Sequence, residues 1–409
     1  MLRNTTRFFA SFLASSTLAL GACSGGHGKH TTEALTNAQE RMSSIKAATS
    51  WDLARQQFQV GDLEKALKNV DESIGYNPNV AKAHSLRGRI LLELGQIENS
   101  IQSFNEALAH DPQYDEAFYY KGISLERINQ IEGALTAYTK AADLTPQNAQ
   151  YAIAAAEMHI ELDQLDEAEQ ILNERKELLE HNSGVRQTLG HIALLNHDAE
   201  GAVALFRESR LLAPDDITVA EDLAHALVYA SDWVEGEYTL RTLLNHEDYA
   251  ERRDLKRLHA RTLVALDRPV EARTLLLSLT TDEKGKNDSA SWIDLGNVAL
   301  HLGDLSRARV AARQVIALKP DRPEGYALLA AAQIKGGDQD AALESLAQAM
   351  EFSTDDASPG LLRGLLLAQM GEHEEAQEMF NWALEINPTD ERLLDVIATS
   401  TEDDEPFDQ

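Results

Sequence analysis

The chain holds one cysteine, Cys23, in 409 residues. It is the only thiol available as nucleophile, metal ligand or acyl acceptor. It stands just after an apolar run from Phe8 to Leu20, which follows Arg3 and Arg7. His27 and His30 have a spacing that could ligate a metal, but no carboxylate or second cysteine completes a set. Gly28-Lys29 faintly echoes a phosphate-binding loop, yet Cys23 stands where its first glycine belongs and His30 replaces the Ser/Thr. No serine sits in a nucleophile elbow. His84, His159 and His301 fall singly and are expected on helix surfaces or in a groove. The sequence predicts no catalytic residue, no metal site and no cofactor.

The elements around Cys23 explain it better than catalysis does. A basic start, a short apolar stretch and small residues at Gly21 and Ala22 form the layout of a secretory signal peptide over 1–22. The apolar stretch is too short to cross a bilayer, which takes ~20 residues. Leu20-Gly21-Ala22-Cys23 resembles the lipobox of bacterial lipoproteins. That resemblance implies cleavage before Cys23, diacylglycerol on its thiol and acylation of its new amino group. An ordinary signal peptide beside a coincidental cysteine is the competing reading. At ~0.8 kcal/mol per buried methylene, several acyl chains together make a durable anchor. Ser24 rather than aspartate after the cysteine points to the outer membrane, facing the periplasm, in a two-membrane cell. With its sole thiol consumed, the chain is expected to hold no disulfide.

Net charge is -30, and it grows more negative without Arg3 and Arg7. Such a surface repels nucleic acid and anionic lipid, so neither is an expected ligand. Acidity of this kind mostly solvates exposed helix faces.

The rest of the chain repeats. A 34-residue pattern recurs ten times between Ala47 and Asp390, with repeats starting at Ala47, Ala81, Asp115, Ala149, Ser183, Ile217, Arg253, Ser289, Pro323 and Ala357. Two-residue insertions separate the last four from the regular register. A period of this size means stacked helical hairpins. Position 8 is always small, as at Ala54, Gly88, Gly122, Gly190 and Gly364, and position 20 is small too, as at Ala66, Ala134 and Ala376. Antiparallel helices approach closely only where both present small residues. Position 24 fills space instead, with Phe104, Tyr138, Phe206 and Phe380. Proline closes six repeats, at Pro78, Pro112, Pro146, Pro214, Pro320 and Pro388, ending one helix without cost to its hydrogen bonds.

These columns resemble the tetratricopeptide repeat family, most fully over Gly88 to Pro112 and Gly364 to Pro388. The resemblance implies an all-α, right-handed superhelical solenoid of about ten helix-turn-helix units. Position 7, usually leucine in the family, is Arg87, Lys121, His259 and Arg363 in four repeats. Repeats six and seven lack the closing proline and carry Leu243 and Leu279 at position 27, so an altered packing angle is expected there. The predicted organisation is a signal peptide (1–22), a flexible tether (23–31), and an N-terminal helix (32–46) with Leu35, Met42 and Ile45 facing the first repeat. Repeats one to six (47–250) and seven to ten (253–390) follow, with a polar break near 280–288 as the candidate hinge. A capping helix (391–400), carrying Leu393, Leu394, Val396 and Ile397, and an acidic disordered tail (401–409) end the chain.

In the first helix of each repeat, positions 2, 5, 9, 12 and 13 share one face. The resemblance implies that this face lines a concave groove that binds partner peptides. At its N-terminal end the groove gathers Trp51, Arg55, Phe58, Lys82, Arg89, Tyr119, Ile123 and Arg127, an aromatic and basic set in an acidic chain. Aromatics and arginines dominate interface energies, so this set predicts a docking site for an acidic or carboxylate-bearing segment. The same residues also admit a structural role, with Trp51 and Phe58 under the N-terminal helix and the arginines paired with Glu93, Glu116 and Glu126. The family's carboxylate clamp is not matched, because Trp51 and Arg55 stand where lysine and asparagine are expected. The expected function is a non-enzymatic, lipid-anchored scaffold that docks a protein or peptide, serving assembly of an envelope machine such as a pilus, secretin or export system. The alternative is an adaptor that recruits or activates a cell-wall or polysaccharide-processing enzyme. No small-molecule substrate is expected.

Overall fold

The computed structural model describes residues 29–389 together with 394, 395 and 397. Cys23, the predicted signal peptide and the acidic tail lie outside these residues. The chain resolves into two compact units, one ending at Met158 and the other starting at His159. Every regular element among the described residues is helical.

In the first unit the helices are α1 (Lys29–Gln59), α2 (Leu63–Tyr76), α3 (Ala81–Glu93), α4 (Ile97–His110), α5 (Asp115–Arg127) and α6 (Ile131–Leu144), then α7 (Ala149–Glu161) up to Met158. The second unit continues with α8 (Leu165–Asn173), α9 (Ser183–Leu195), α10 (Ala199–Leu212), α11 (Ile217–Tyr229), α12 (Trp233–Leu244) and α13 (Arg253–Ala265). It ends with α14 (Pro269–Thr281), α15 (Ser289–His301), α16 (Leu305–Leu318), α17 (Pro323–Lys335), α18 (Gln339–Phe352), α19 (Ser358–Gln369) and α20 (His373–Ile386). Odd helices from α3 to α17 begin at the residues where the repeats were predicted to start, and α19 begins one residue later.

The small columns act as predicted. A Cβ placed on Gly88, Gly122, Gly190 or Gly364 would fall within 2.7 Å of the ring of Phe104, Tyr138, Phe206 or Phe380 in the same repeat. Each glycine is the socket for its own repeat's aromatic, and those four rings are almost fully buried. Position 20 is completely buried at Ala66, Ser100, Ala134, Ala168, Ala202, Ala272, Ala308 and Ala342.

One column escaped the sequence pattern. Position 15, the turn between the two helices of a repeat, has a left-handed backbone in all ten repeats. Glycine fills it at Gly61, Gly95, Gly303, Gly337 and Gly371, but Asn129, Asp163, His197, Ser231 and Asp267 hold φ near +60° without it. The turn geometry is imposed by hairpin closure, and half the repeats accept the Cβ penalty.

Four expectations need correction. The N-terminal helix is not separate: α1 starts at Lys29, inside the expected tether, and runs unbroken into the first repeat. Leu35, Met42 and Ile45 do not face that repeat and are exposed; α1 meets it through its opposite side, where Ala47 and Ala54 are buried. The polar 280–288 segment is no loose hinge. Arg253 donates to Asp282 at 3.1 Å, to Asp288 at 3.2 Å and to the Leu279 carbonyl. Gln314 donates to the Lys286 carbonyl at 3.1 Å, and a 3-10 turn (Gly285–Asn287) fills the gap. Finally, His84 is a core residue, with Nε2 2.6 Å from the Pro78 carbonyl, Nδ1 3.0 Å from Glu106 and its ring stacked on His110.

Where repeats lack the closing proline, other devices end the helix. Before α9, the short α8 gives way to turns that bury Leu179, and Asn182 caps α9 by accepting from the Val185 N–H. Between α12 and α13, Tyr249 is buried against Leu240, Leu243 and Leu255. Of the predicted capping helix, the described residues 394, 395 and 397 are helical, and Ile397 packs on Leu367, Ala376 and Phe380. Leu394 is exposed.

Candidate functional site

The predicted groove residues divide into an assembled cleft and residues outside it. Trp51, Arg55 and Phe58 on α1 and Lys82 and Arg89 on α3 line one cleft of about 190 Å³, with Gln59, Ser85, Leu86, Tyr114 and Glu116. The period places them there: Trp51 and Phe58 are seven residues apart on α1, and Arg55 and Arg89 hold the same position in successive repeats. Two cations lie over the indole of Trp51, with Lys82 Nζ 4.3 Å and the Arg55 guanidinium 5.3 Å from its ring centre. Its Nε1–H donates to the Lys82 carbonyl at 3.3 Å. Lys82 Nζ has no carboxylate partner among the described residues, and Arg55 meets only the exposed Asp52, at 3.7 Å.

Arg89 is different. It stacks on Phe58 at 5.2 Å and on Tyr120 at 4.4 Å, and donates to Glu116 Oε1 at 2.9 Å. Tyr114 donates to the other oxygen of the same carboxylate at 3.0 Å. Burial first, then the charge of Glu116, pushes the Tyr114 phenol far above its ordinary range. Arg89 is therefore a wall of the cleft with its charge already answered. The structural pairing of Arg89 with Glu116 holds, whereas Arg127 donates to the Leu92 carbonyl at 3.2 Å.

Tyr119, Ile123 and Arg127 do not line the cleft. Tyr119 belongs to a tyrosine cluster, its ring 5.4 Å from Tyr120, 5.6 Å from Tyr138 and 4.9 Å from Tyr151. Ile123 is half-buried on α5. The N-terminal helix covers neither Trp51 nor Phe58 from outside, because it is the same unbroken helix that carries them.

The second unit has a cavity that sequence reasoning missed. About 360 Å³ is lined by Arg261, Val264, Leu276, Ile293, Asp294, Asn297, Val298 and His301. Asp294 is buried and sits 2.8 Å from Arg261 and 3.4 Å from Arg257. Burial raises its carboxyl pKa in spite of these two arginines. The signal available was Arg257 and Arg261 on one helix face, but Asp294 comes from the next repeat's core side and has no sequence mark. Among the described residues no group of three or more His, Cys, Asp or Glu is placed to hold a metal. No helix among them is long and apolar enough to cross a membrane.

Stacked helical hairpins of near-constant period, four of them locking a ring over a glycine, define an all-α helical solenoid. The tetratricopeptide repeat family matches residues 52–115, 119–176, 257–323, 293–360 and 361–390. The chain belongs to the tetratricopeptide repeat family. No curated protein matches it. Among solved structures, it is similar to MamA from Desulfovibrio magneticus RS-1, with 21% identity over 42% of this chain and 97% of that one and a TM-score of 0.38. A tetratricopeptide repeat protein from Parabacteroides merdae gives 14% identity over 57% of this chain and 92% of that one, TM-score 0.44. YrrB, described as a TPR protein with an unusual peptide-binding site, gives 19% identity over 46% of this chain and 95% of that one, TM-score 0.37.

Proposed function

We propose that the protein is a non-enzymatic scaffold that docks an extended acidic peptide segment of a partner protein in the cleft between α1 and α3. The observation that carries this is the Trp51 indole with both Lys82 and Arg55 over its ring, Lys82 having no carboxylate partner among the described residues. An indole already flanked by cations gives a partner an apolar face to pack on, and carboxylates to its sides gain two charge-assisted contacts. Arg89 and Glu116 fix the far wall, so the cleft is preformed. The lipobox resemblance at Cys23 supports a lipid anchor on this scaffold, and Ser24 after it supports the periplasmic face of the outer membrane, where a docking scaffold would serve an envelope machine.

The test is photo-cross-linking in cells from a probe at Gln59, on the cleft rim, in the otherwise native chain and in the Lys82→Glu and Trp51→Ala variants. One dominant adduct in the native chain, reduced at least tenfold in both variants, supports the docking site. An adduct of unchanged yield in both variants sinks it. Radiolabelled palmitate incorporation, lost in Cys23→Ala, tests the anchor separately.

A further inference from the structure

Position 4 of a repeat, early in its first helix, carries a large side chain at His84, Phe118, Arg186, Lys256, Trp292 and Tyr326. Three of these reach the same target. His84 Nε2 lies 2.6 Å from the Pro78 carbonyl, Arg186 donates to the Glu180 carbonyl at 3.3 Å, and the Tyr326 hydroxyl donates to the Pro320 carbonyl at 3.0 Å. Each acceptor is position 32 of the preceding repeat. The two rings among the three also stack on position 30 of their own repeat, His84 on His110 at 5.2 Å and Tyr326 on Phe352 at 5.7 Å. Position 4 therefore plugs a slot between successive repeats. In repeat ten, where position 4 is Gly360, the ring of Trp382 from position 26 lies where that side chain would be.

Repeat six has no such plug. Its position 4 is Ala220 and its position 26 is Thr242, both too short to cross the slot. The consequence is a cavity of about 330 Å³, lined by both residues. Ala152, the alanine at position 4 of repeat four, is completely buried, whereas Ala220 is only partly buried.

The cavity keeps the groups that a plug uses elsewhere. Pro214, at position 32 of repeat five, is the counterpart of Pro320, and His246, at position 30 of repeat six, is the counterpart of Phe352. Both line the cavity, and Ile217 and Leu243 give it apolar walls. Thr239 lines it too; it is 2% exposed, and its hydroxyl has no hydrogen-bond partner among the described residues. A buried hydroxyl without a partner costs free energy that a bound polar group can return.

We infer that this cavity, which lies outside the groove, receives a tyrosine side chain from a partner protein. The ring stacks on His246 between apolar walls, and its hydroxyl meets the Pro214 carbonyl as Tyr326 meets Pro320. A tyrosine supplies both halves of what the slot lacks, an apolar ring and a donor at its far edge.

The probe is p-cresol, the tyrosine side chain alone, and the readout is the δ-methyl NMR signal of Ile217 in the labelled full chain. The expected result is a saturable shift, with toluene binding roughly fivefold more weakly because it lacks the hydroxyl. Ala220→Tyr supplies the plug from within the chain. It should abolish the response to p-cresol and raise the thermal midpoint; a lowered midpoint means that the slot does not admit a ring and overturns the inference. So does the absence of a p-cresol shift, or an equal affinity for toluene. The partner is tested in cells with a photo-cross-linker at Thr242, on the cavity rim. The adduct should join a tyrosine-containing peptide of another protein and fall at least tenfold in Ala220→Tyr. An adduct that persists in that variant, or a linked peptide without tyrosine, refutes the assignment. Binding of p-cresol with no protein adduct means that a free aromatic molecule is the occupant, and it refutes the partner protein.

Discussion

Replacing Gly122 by alanine should destabilise the first unit, although alanine is the better helix former. The added Cβ would lie 2.5 Å from Tyr138 Cε1 and 2.6 Å from Cδ1, where carbon atoms normally rest about 3.5–4.0 Å apart. The ring must therefore move by roughly 1 Å to restore ordinary contact. It has nowhere to go: Tyr138 is 1% exposed, and its hydroxyl donates to Glu126 Oε2 at 2.7 Å. Overpacking of this kind costs ~1–3 kcal/mol, and the change from glycine to alanine in a helix returns ~1 kcal/mol. The balance is a loss of up to about 2 kcal/mol. Gly75 in α2 is the control, because a Cβ there meets nothing within 4 Å. Gly75→Ala should gain about 0.5–1 kcal/mol from the same propensity term. The assay is urea denaturation followed by Trp51 fluorescence, with Trp233, Trp292 and Trp382 changed to phenylalanine so that only the first unit reports. Tyr138→Leu should erase most of the Gly122→Ala penalty in a double-mutant cycle. If Gly122→Ala raises the urea midpoint as much as Gly75→Ala does, the ring gives way and the small column is not a packing requirement.

Three further outcomes are expected. At the left-handed turn position, Ser231→Gly should stabilise the second unit by about 1 kcal/mol and Gly95→Ala should destabilise the first by a similar amount, read as opposite shifts in urea midpoint. The hydrogen bonds and charge of Arg252 hold the Asp254 carboxyl at about 2, below its ordinary value, so its contribution is present above pH 4 and is lost as pH falls from 4 towards 2. That side chain is 54% exposed, so Asp254→Asn should reduce the stability difference between pH 5 and pH 2.5 by less than about 1 kcal/mol; a larger change, or one of opposite sign, contradicts the assignment. Arg253→Ala removes the three anchors of the 280–288 segment and should cost about 2–3 kcal/mol, with amide exchange rising across 282–288 while α17 and α18 keep their protection. Unchanged exchange there would mean that Gln314 and the 3-10 turn suffice.

What the sequence determined by itself was the set of hairpins and their boundaries. Helix starts from Ala81 to Pro323 follow from a local pattern of small, bulky and proline positions, and repetition presents that pattern ten times. The cleft was half legible, because Trp51, Arg55, Lys82 and Arg89 fall at groove positions of adjacent repeats. Only the tertiary structure decided which of those charges is answered: Arg89 is paired with Glu116, which comes from α5, while Lys82 faces the indole of Trp51 and has no acid partner among the described residues. The same holds for Asp294, whose raised pKa comes from burial against a neighbouring repeat, and for Arg253, which turns a polar break into a tied segment. Leu35, Met42 and Ile45 show the limit most clearly. Their periodicity defined an apolar face, but periodicity is a property of one helix. Whether that face points inward or outward depends on how the helix docks, and docking was decided by Ala47 and Ala54 on the other side.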